Sequence, residues 1–198
     1  VPTPTAMDLA RLVVAGDPDA VLWSLPAKAP GEPYAAHPWD VAIAVSPRLA
    51  KFAHLSVVNG VNCAKGPHIA HLRAQVAEAA NVHIARALKV KAGTKPTGAA
   101  GDPTRQVLIV MVGALPGADW GGQRKDELQV SAGVYGAYAF PAKGLKELAG
   151  VIADTVLLRA AGGDKASTKR KGGADKYVGA RRAGAGKGGA CRLLLGEG

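Results

Sequence analysis

The spacing of apolar residues changes several times along the chain, and each change predicts an element. Residues 3–14 read as a short helix, with Thr5 as N-cap, Asp8 in the first turn, and Leu9, Leu12 and Val13 on one face. Gly16-Asp-Pro-Asp19 is a turn, residues 21–25 read as a strand, and prolines 26, 30, 33 and 38 mark a loop. Residues 39–46 alternate, with Val41, Ile43 and Val45 on one face of a half-buried strand. Pro47-Arg48 turns the chain into a second strand over residues 52–63, and the two strands read as a β-hairpin. Asn59-Gly60 inside the second strand is either a turn or a bulge.

Pro67 then opens the clearest helix, in which Ile69, Leu72, Val76, Ala80, Ile84 and Leu88 recur at three- and four-residue spacing. His68, His71 and His83 lie on or near it. They read as surface or capping histidines, because no further metal ligand lies close by in sequence. A basic loop containing Gly and Pro follows over residues 89–105. Residues 107–112 are uniformly apolar and predict a strand buried on both faces. A second amphipathic helix spans residues 143–158 with Leu145, Leu148, Ile152 and Val156 inward. Residues 162–189 are rich in glycine and read as a linker, and residues 191–195 as a last strand. Strands and helices in this order describe a two-layer α/β (α+β) sandwich of about 110 residues.

Composition alters this picture in two ways. First, net charge is +10, and ten Lys/Arg against two Asp between residues 159 and 192 place +8 of it there. Such a stretch suits a polyanion or a solvated linker, and Tyr177 is its sole aromatic, so base stacking is not indicated. Second, no apolar run approaches the roughly 20 residues that cross a bilayer, and the first residues lack the basic start and apolar centre of a signal peptide. Cys63 and Cys191 match no metal spacing and read as reduced thiols of an intracellular protein. The chain starts at Val1 and stops just after Leu193-Leu-Leu195, as expected of a segment of a longer polypeptide.

The candidate chemistry sits in Trp120-Gly-Gly-Gln-Arg-Lys-Asp-Glu-Leu-Gln-Val130, downstream of the buried strand. Glycines allow a close backbone approach, and Gln123, Arg124 and Lys125 can project into the space so left; a lysine there suits a terminal phosphate. An ordinary solvated turn is the other reading of the same residues.

Four places in register resemble type IIA DNA topoisomerases, more the eukaryotic and viral form than bacterial gyrase. Trp39-Asp-Val-Ala-Ile-Ala-Val-Ser46 resembles the strand opening that family's transducer domain. Leu55-Ser-Val-Val-Asn-Gly-Val61 with Lys65-Gly-Pro-His68 resembles Ser-Phe-Val-Asn-Ser-Ile followed by Lys-Gly-Gly-Thr-His. Residues 116–128 resemble the loop built on Gln-Thr-Lys and an acid, and Cys191-Arg-Leu-Leu-Leu-Gly-Glu-Gly198 resembles Cys-Thr-Leu-Ile-Leu-Thr-Glu-Gly, which opens the TOPRIM domain. Arg124 and Gly196 stand where the family has threonine, and the Gly-Pro-His turn is one residue shorter, marking a divergent member.

The resemblance implies a division into an N-terminal extension or end of an ATPase region (1–38), a transducer domain (39–160), a basic Gly-rich linker (161–189) and the start of TOPRIM (190–198). It implies part of an ATP-dependent DNA topoisomerase acting as a homodimer on double-stranded DNA, with ATP and Mg²⁺ as cofactors, in the nucleus or encoded by a virus and acting in the host cell. Lys125, with Gln123 beside it, would contact the γ-phosphate. Glu197 would be the TOPRIM glutamate for metal or acid/base work, and Lys169, Arg170, Lys171, Arg181, Arg182 and Lys187 would meet DNA phosphates. The nucleotide pocket, the Asp-x-Asp metal pair and the cleavage tyrosine would lie outside this segment, so alone it is expected to be inactive. The alternative is a non-enzymatic basic protein that binds nucleic acid through a similar two-layer domain.

Overall fold

The computed structural model describes residues 4–89, 101–121 and 126–167. The chain divides into two compact units, Val1–Leu157 and Leu158–Gly198. The first contains a five-stranded sheet in the order β1-β2-β5-β3-β4 and a separate two-stranded ribbon, β6-β7. No helix among the described residues is long and apolar enough to cross a membrane.

Helix α1 (Ala6–Val13) begins with a capping box, in which Thr5 Oγ1 accepts from the Asp8 N–H at 3.2 Å and Asp8 Oδ2 accepts from the Thr5 N–H at 3.0 Å. Asp40 Oδ2 accepts the Ala6 N–H at 2.8 Å, tying the helix start to the start of β2 (Asp40–Val45). The face turned inward is the expected one only at Leu9, which packs partly buried against the sheet. Ala6, Ala10 and Val14 are buried, while Leu12 and Val13 are 73% and 53% exposed. Small alanines let the helix lie close to the sheet, where larger side chains would hold it away.

Strand β1 (Val21–Ser24) pairs antiparallel with β2, and β2 antiparallel with β5 (Val107–Gly113). The expected hairpin between residues 39–46 and 52–63 does not form, because β5 lies between them, antiparallel to β2 and parallel to β3 (Ala53–Val58). The hairpin partner of β3 is instead β4 (Val61–Asn62), across a turn at Asn59 (φ 51°) and Gly60 (φ 78°). Positive φ at both central residues is the tight-turn geometry that Asn-Gly favours, so the alternative bulge is discarded.

β5 is buried on both faces, as its uniform apolarity predicts. β2 is too, against the half-buried expectation. Val41, Ile43, Val45, Ile109 and Met111 join Leu72, Val76 and Ile84 of α2 (Pro67–Ala87) and Leu148, Ile152 and Val156 of α4 (Ala142–Ser167) in the main core. Ala42, Ala44, Leu108 and Val110 join Ala6, Ala10 and Val14 on the other face. Thus α1 adds cover to the side of the sheet that a two-layer reading leaves open. Each large side chain so buried contributes about 1.5–3 kcal/mol of transfer free energy. Leu88, expected inward, is 47% exposed at the C-cap of α2. Helix α4 continues to Ser167, past Gly162 where the sequence reads as linker; once a helix is nucleated, each further residue adds a backbone bond.

Candidate functional site

The candidate loop belongs to the ribbon. β6 (Asp119–Gly121) and β7 (Glu127–Gln129) pair antiparallel with Trp120 opposite Leu128 and Gly121 opposite Glu127. Gln123 and Lys125 lie between these strands in the chain and outside the described residues. What the structure describes is the base that carries them.

That base is fastened on three sides. Leu128 is buried in the main core, and Trp120 packs against the same core. The Lys65 N–H donates to the Asp126 carbonyl at 3.1 Å, and the Leu128 N–H donates to the Lys65 carbonyl at 3.0 Å, so β7 is stitched to the segment just before α2. The connection from β5 to β6 is held by Asn59, whose Nδ2 donates to the Leu115 carbonyl at 3.1 Å and whose Oδ1 accepts the Leu115 N–H at 2.9 Å. An open groove of about 610 Å³ runs beside the ribbon, between Pro67, Asp119, Glu127 and Val134 of α3 (Ala132–Tyr135).

Under the ribbon, His68 is fully buried, and its Nε2 lies 2.6 Å from Ser56 Oγ on β3. Burial, with a smaller contribution from the charge of His54, lowers its pKa from 6.5 to about 4, so the ring is neutral at physiological pH. His71 is a structural residue: its Nε2 lies 2.8 Å from the Tyr138 carbonyl. Gln75 reaches the same carbonyl at 3.1 Å and accepts the Phe140 N–H at 3.1 Å. Tyr138 stacks on Trp39 at 3.7 Å between ring centroids. These contacts lash the small-residue segment before α4 to α2. His68 is therefore not the surface or capping histidine that its helical spacing suggests, because its ring is buried against Ser56; the described residues hold no cluster of three or more potential metal ligands. Cys63 is buried and free, and burial raises its pKa.

A second, smaller groove is basic. Lys51, Arg73 and Arg105 line it with Phe52 and Asp102. Arg73 is already engaged, paired with Asp102 at 2.6 Å, donating to Thr104 Oγ1 at 2.8 Å and lying over the Phe52 ring at 4.3 Å.

The remaining sequence-predicted site residues, Lys169, Arg170, Lys171, Arg181, Arg182, Lys187 and Glu197, also lie outside the described residues. None of the sequence-predicted site residues falls among the described residues. The residues that sequence reasoning missed are the anchors Ser56, Asn59, Lys65 and His68. All four lie in the motifs quoted above; their partners, 12 to 63 positions away in the chain, carry no sequence signal.

No protein-family profile matches the chain. The chain is 35% identical over 198 residues to DNA topoisomerase 2 of African swine fever virus (isolate Pig/Kenya/KEN-50/1950), and 36% identical to that of isolate Tick/South Africa/Pretoriuskop Pr4/1996. In both cases 99% of this chain aligns, and it spans 16% of the relative's length. Among solved structures, the 43K ATPase domain of Thermus thermophilus gyrase B matches 82% of this chain and 44% of its own, at a TM-score of 0.55 and 17% identity. The ATPase region of Saccharomyces cerevisiae topoisomerase II matches 82% and 38%, at 0.54 and 17%. These structures share the fold.

Proposed function

We infer, from the kinship of this chain with DNA topoisomerase 2, that it is the segment of an ATP-dependent type II topoisomerase that couples nucleotide binding and hydrolysis to passage of one DNA duplex through another. What carries the reading is one observation: the alignment with the viral relatives runs through 99% of the chain at 35% identity.

In this reading Lys125 reaches the γ-phosphate of ATP bound mainly by residues outside the segment, with Gln123 beside it. A cation there stabilises charge on the terminal phosphate, and the contact is lost on hydrolysis. The domain behind it then acts as a two-position coupling element biased by phosphate. The rigid base of the ribbon favours this role, since a sensor transmits force only if its mount does not yield. We place α1 and β1 within the transducer domain, because they complete its sheet, and the basic linker and TOPRIM start after it. Mg²⁺ would be held with Glu197. Lys169, Arg170, Lys171, Arg181, Arg182 and Lys187 would contact duplex phosphates without reading sequence. The parent enzyme would act as a homodimer inside the host cell of the virus encoding it.

The +8 stretch also favours the second reading, a basic nucleic-acid-binding protein without enzymatic activity. Lys125→Ala in the full-length enzyme separates the two. ATP-stimulated strand passage should fall about a hundredfold or more, the scale of losing one donor to a developing charge. DNA affinity should stay within about twofold, since one phosphate contact at most is touched. Unchanged ATP-dependent passage would remove Lys125 from the mechanism.

A further inference from the structure

The buried Ser56–His68 pair has no part in the chemistry above, yet it lies at the joint between sheet, helix and ribbon. Ser56 sits on β3 and is 1% exposed, with its Oγ 3.6 Å from Met111 Sδ on β5. If that hydroxyl donates to sulfur, it accepts from His68 Nε2–H, which leaves Nδ1 a bare acceptor; Nδ1 is buried without a partner. Trp39 meets the ring edge-on at 6.3 Å. On the Nδ1 side lies Gly66. A methyl group there would come within 2.6 Å of Nδ1 and 2.7 Å of Cε1, and within 3.0 Å of Leu128 Cβ. Gly66 is thus pressed between the histidine ring and the buried residue of β7. Its neighbour Lys65 makes the two backbone bonds that stitch β7 in place.

We infer that His68 is a positioning residue for the β6–β7 ribbon: fixed to the sheet through Ser56, its ring is the seat on which Gly66, and beyond it Leu128, rests. The height of that seat sets the line of residues 65 and 66, and through them the line of β7. Two consequences follow from packing alone. Removing the ring lets the 65–66 segment sink and loosens the two bonds to β7. Adding a methyl at position 66 is damaging twice over while the ring is present, through the clash with the ring and through backbone strain at φ 158°, and only the clash is relieved once the ring is gone. The effect on phosphate contact rests on the reading of Lys125 given above; the mechanical claim does not.

Amide hydrogen exchange of the 198-residue chain tests it. In His68→Ala the Lys65 and Leu128 amides should exchange at least about tenfold faster relative to those of Ile109 and Val110 at the sheet centre. In Gly66→Ala the same two amides should also be accelerated. In the double variant the effects should be less than additive, because the clash with the ring is absent while the strain at φ 158° remains. Acceleration spread evenly over all four amides, or strictly additive effects, would overturn the inference. Should His68→Ala not fold, Ser56→Ala, which removes one oxygen atom, decides by the same comparison of amides. Strand passage by the parent enzyme carrying the same change separates this inference from the phosphate reading. Selective acceleration with an unchanged ATP response leaves the seat standing and sinks the role of Lys125. A lost ATP response without selective acceleration does the reverse.

Discussion

At the scale of single residues, what a side chain does here depends on who faces it. His68 reads in the sequence as one of three helix histidines, and His71 and His83 share its spacing signal. In the fold His68 alone among them is fully buried. Its folded pKa of about 4 against an ordinary 6.5 means that the unfolded chain takes up a proton that the folded protein refuses. Stability contributed by the neutral ring is therefore complete above about pH 6.5 and is lost as pH falls from there through about 4. The loss approaches about 1.4 kcal/mol per pH unit within that window. Urea unfolding between those pH values should show the slope, and His68→Phe, which cannot titrate, should flatten it. An equal slope in both proteins would assign the acid sensitivity to other groups.

At the scale of elements, local rules succeed where the signal is local. The capping box at Thr5, Pro67 at the start of α2 and the Asn59-Gly60 turn each lie within a few residues and form as their types require. The face of α1 is where the local rule fails. Leu12 and Val13 are larger apolar residues, yet they face outward while Ala6 and Ala10, with Leu9 partly buried beside them, meet the sheet. The opposing positions, Ala42 and Ala44, are small as well, so close approach buries more backbone and strand surface than leucines could. Ala10→Leu should then destabilise by about 1–3 kcal/mol through overpacking. Leu12→Ala should change stability by less than about 0.5 kcal/mol. Chemical denaturation of the two variants checks the assignment, and a larger loss from Leu12→Ala would reverse it.

At the scale of the whole molecule, the sheet depends on segments that the motif reading sets apart. β1 covers one edge of β2, and α1 covers the face formed by Ala42, Ala44, Leu108 and Val110. A chain beginning at residue 39 should expose that face and a free strand edge, and should aggregate or unfold. Residues 1–157 should fold as one cooperative unit. Thermal unfolding and sedimentation of the two fragments test this. A soluble, cooperatively folded fragment from residue 39 would restore the narrower boundary.

Sequence alone determined the class of fold, most elements, the doubly buried central strand and the resemblance to type IIA DNA topoisomerases. These follow from period, turn chemistry and residue identity, which act over short distances in the chain. Tertiary structure decided the strand order, because β5 enters between β2 and β3 only after 44 intervening residues beyond β4. It also decided which face of α1 is inward and what the ribbon of Gln123 and Lys125 stands on. Those outcomes depend on pairings such as Ser56 with His68 and Lys65 with Leu128, and on the room left between side chains. Period and composition specify which residues seek burial; only the closed packing decides against whom.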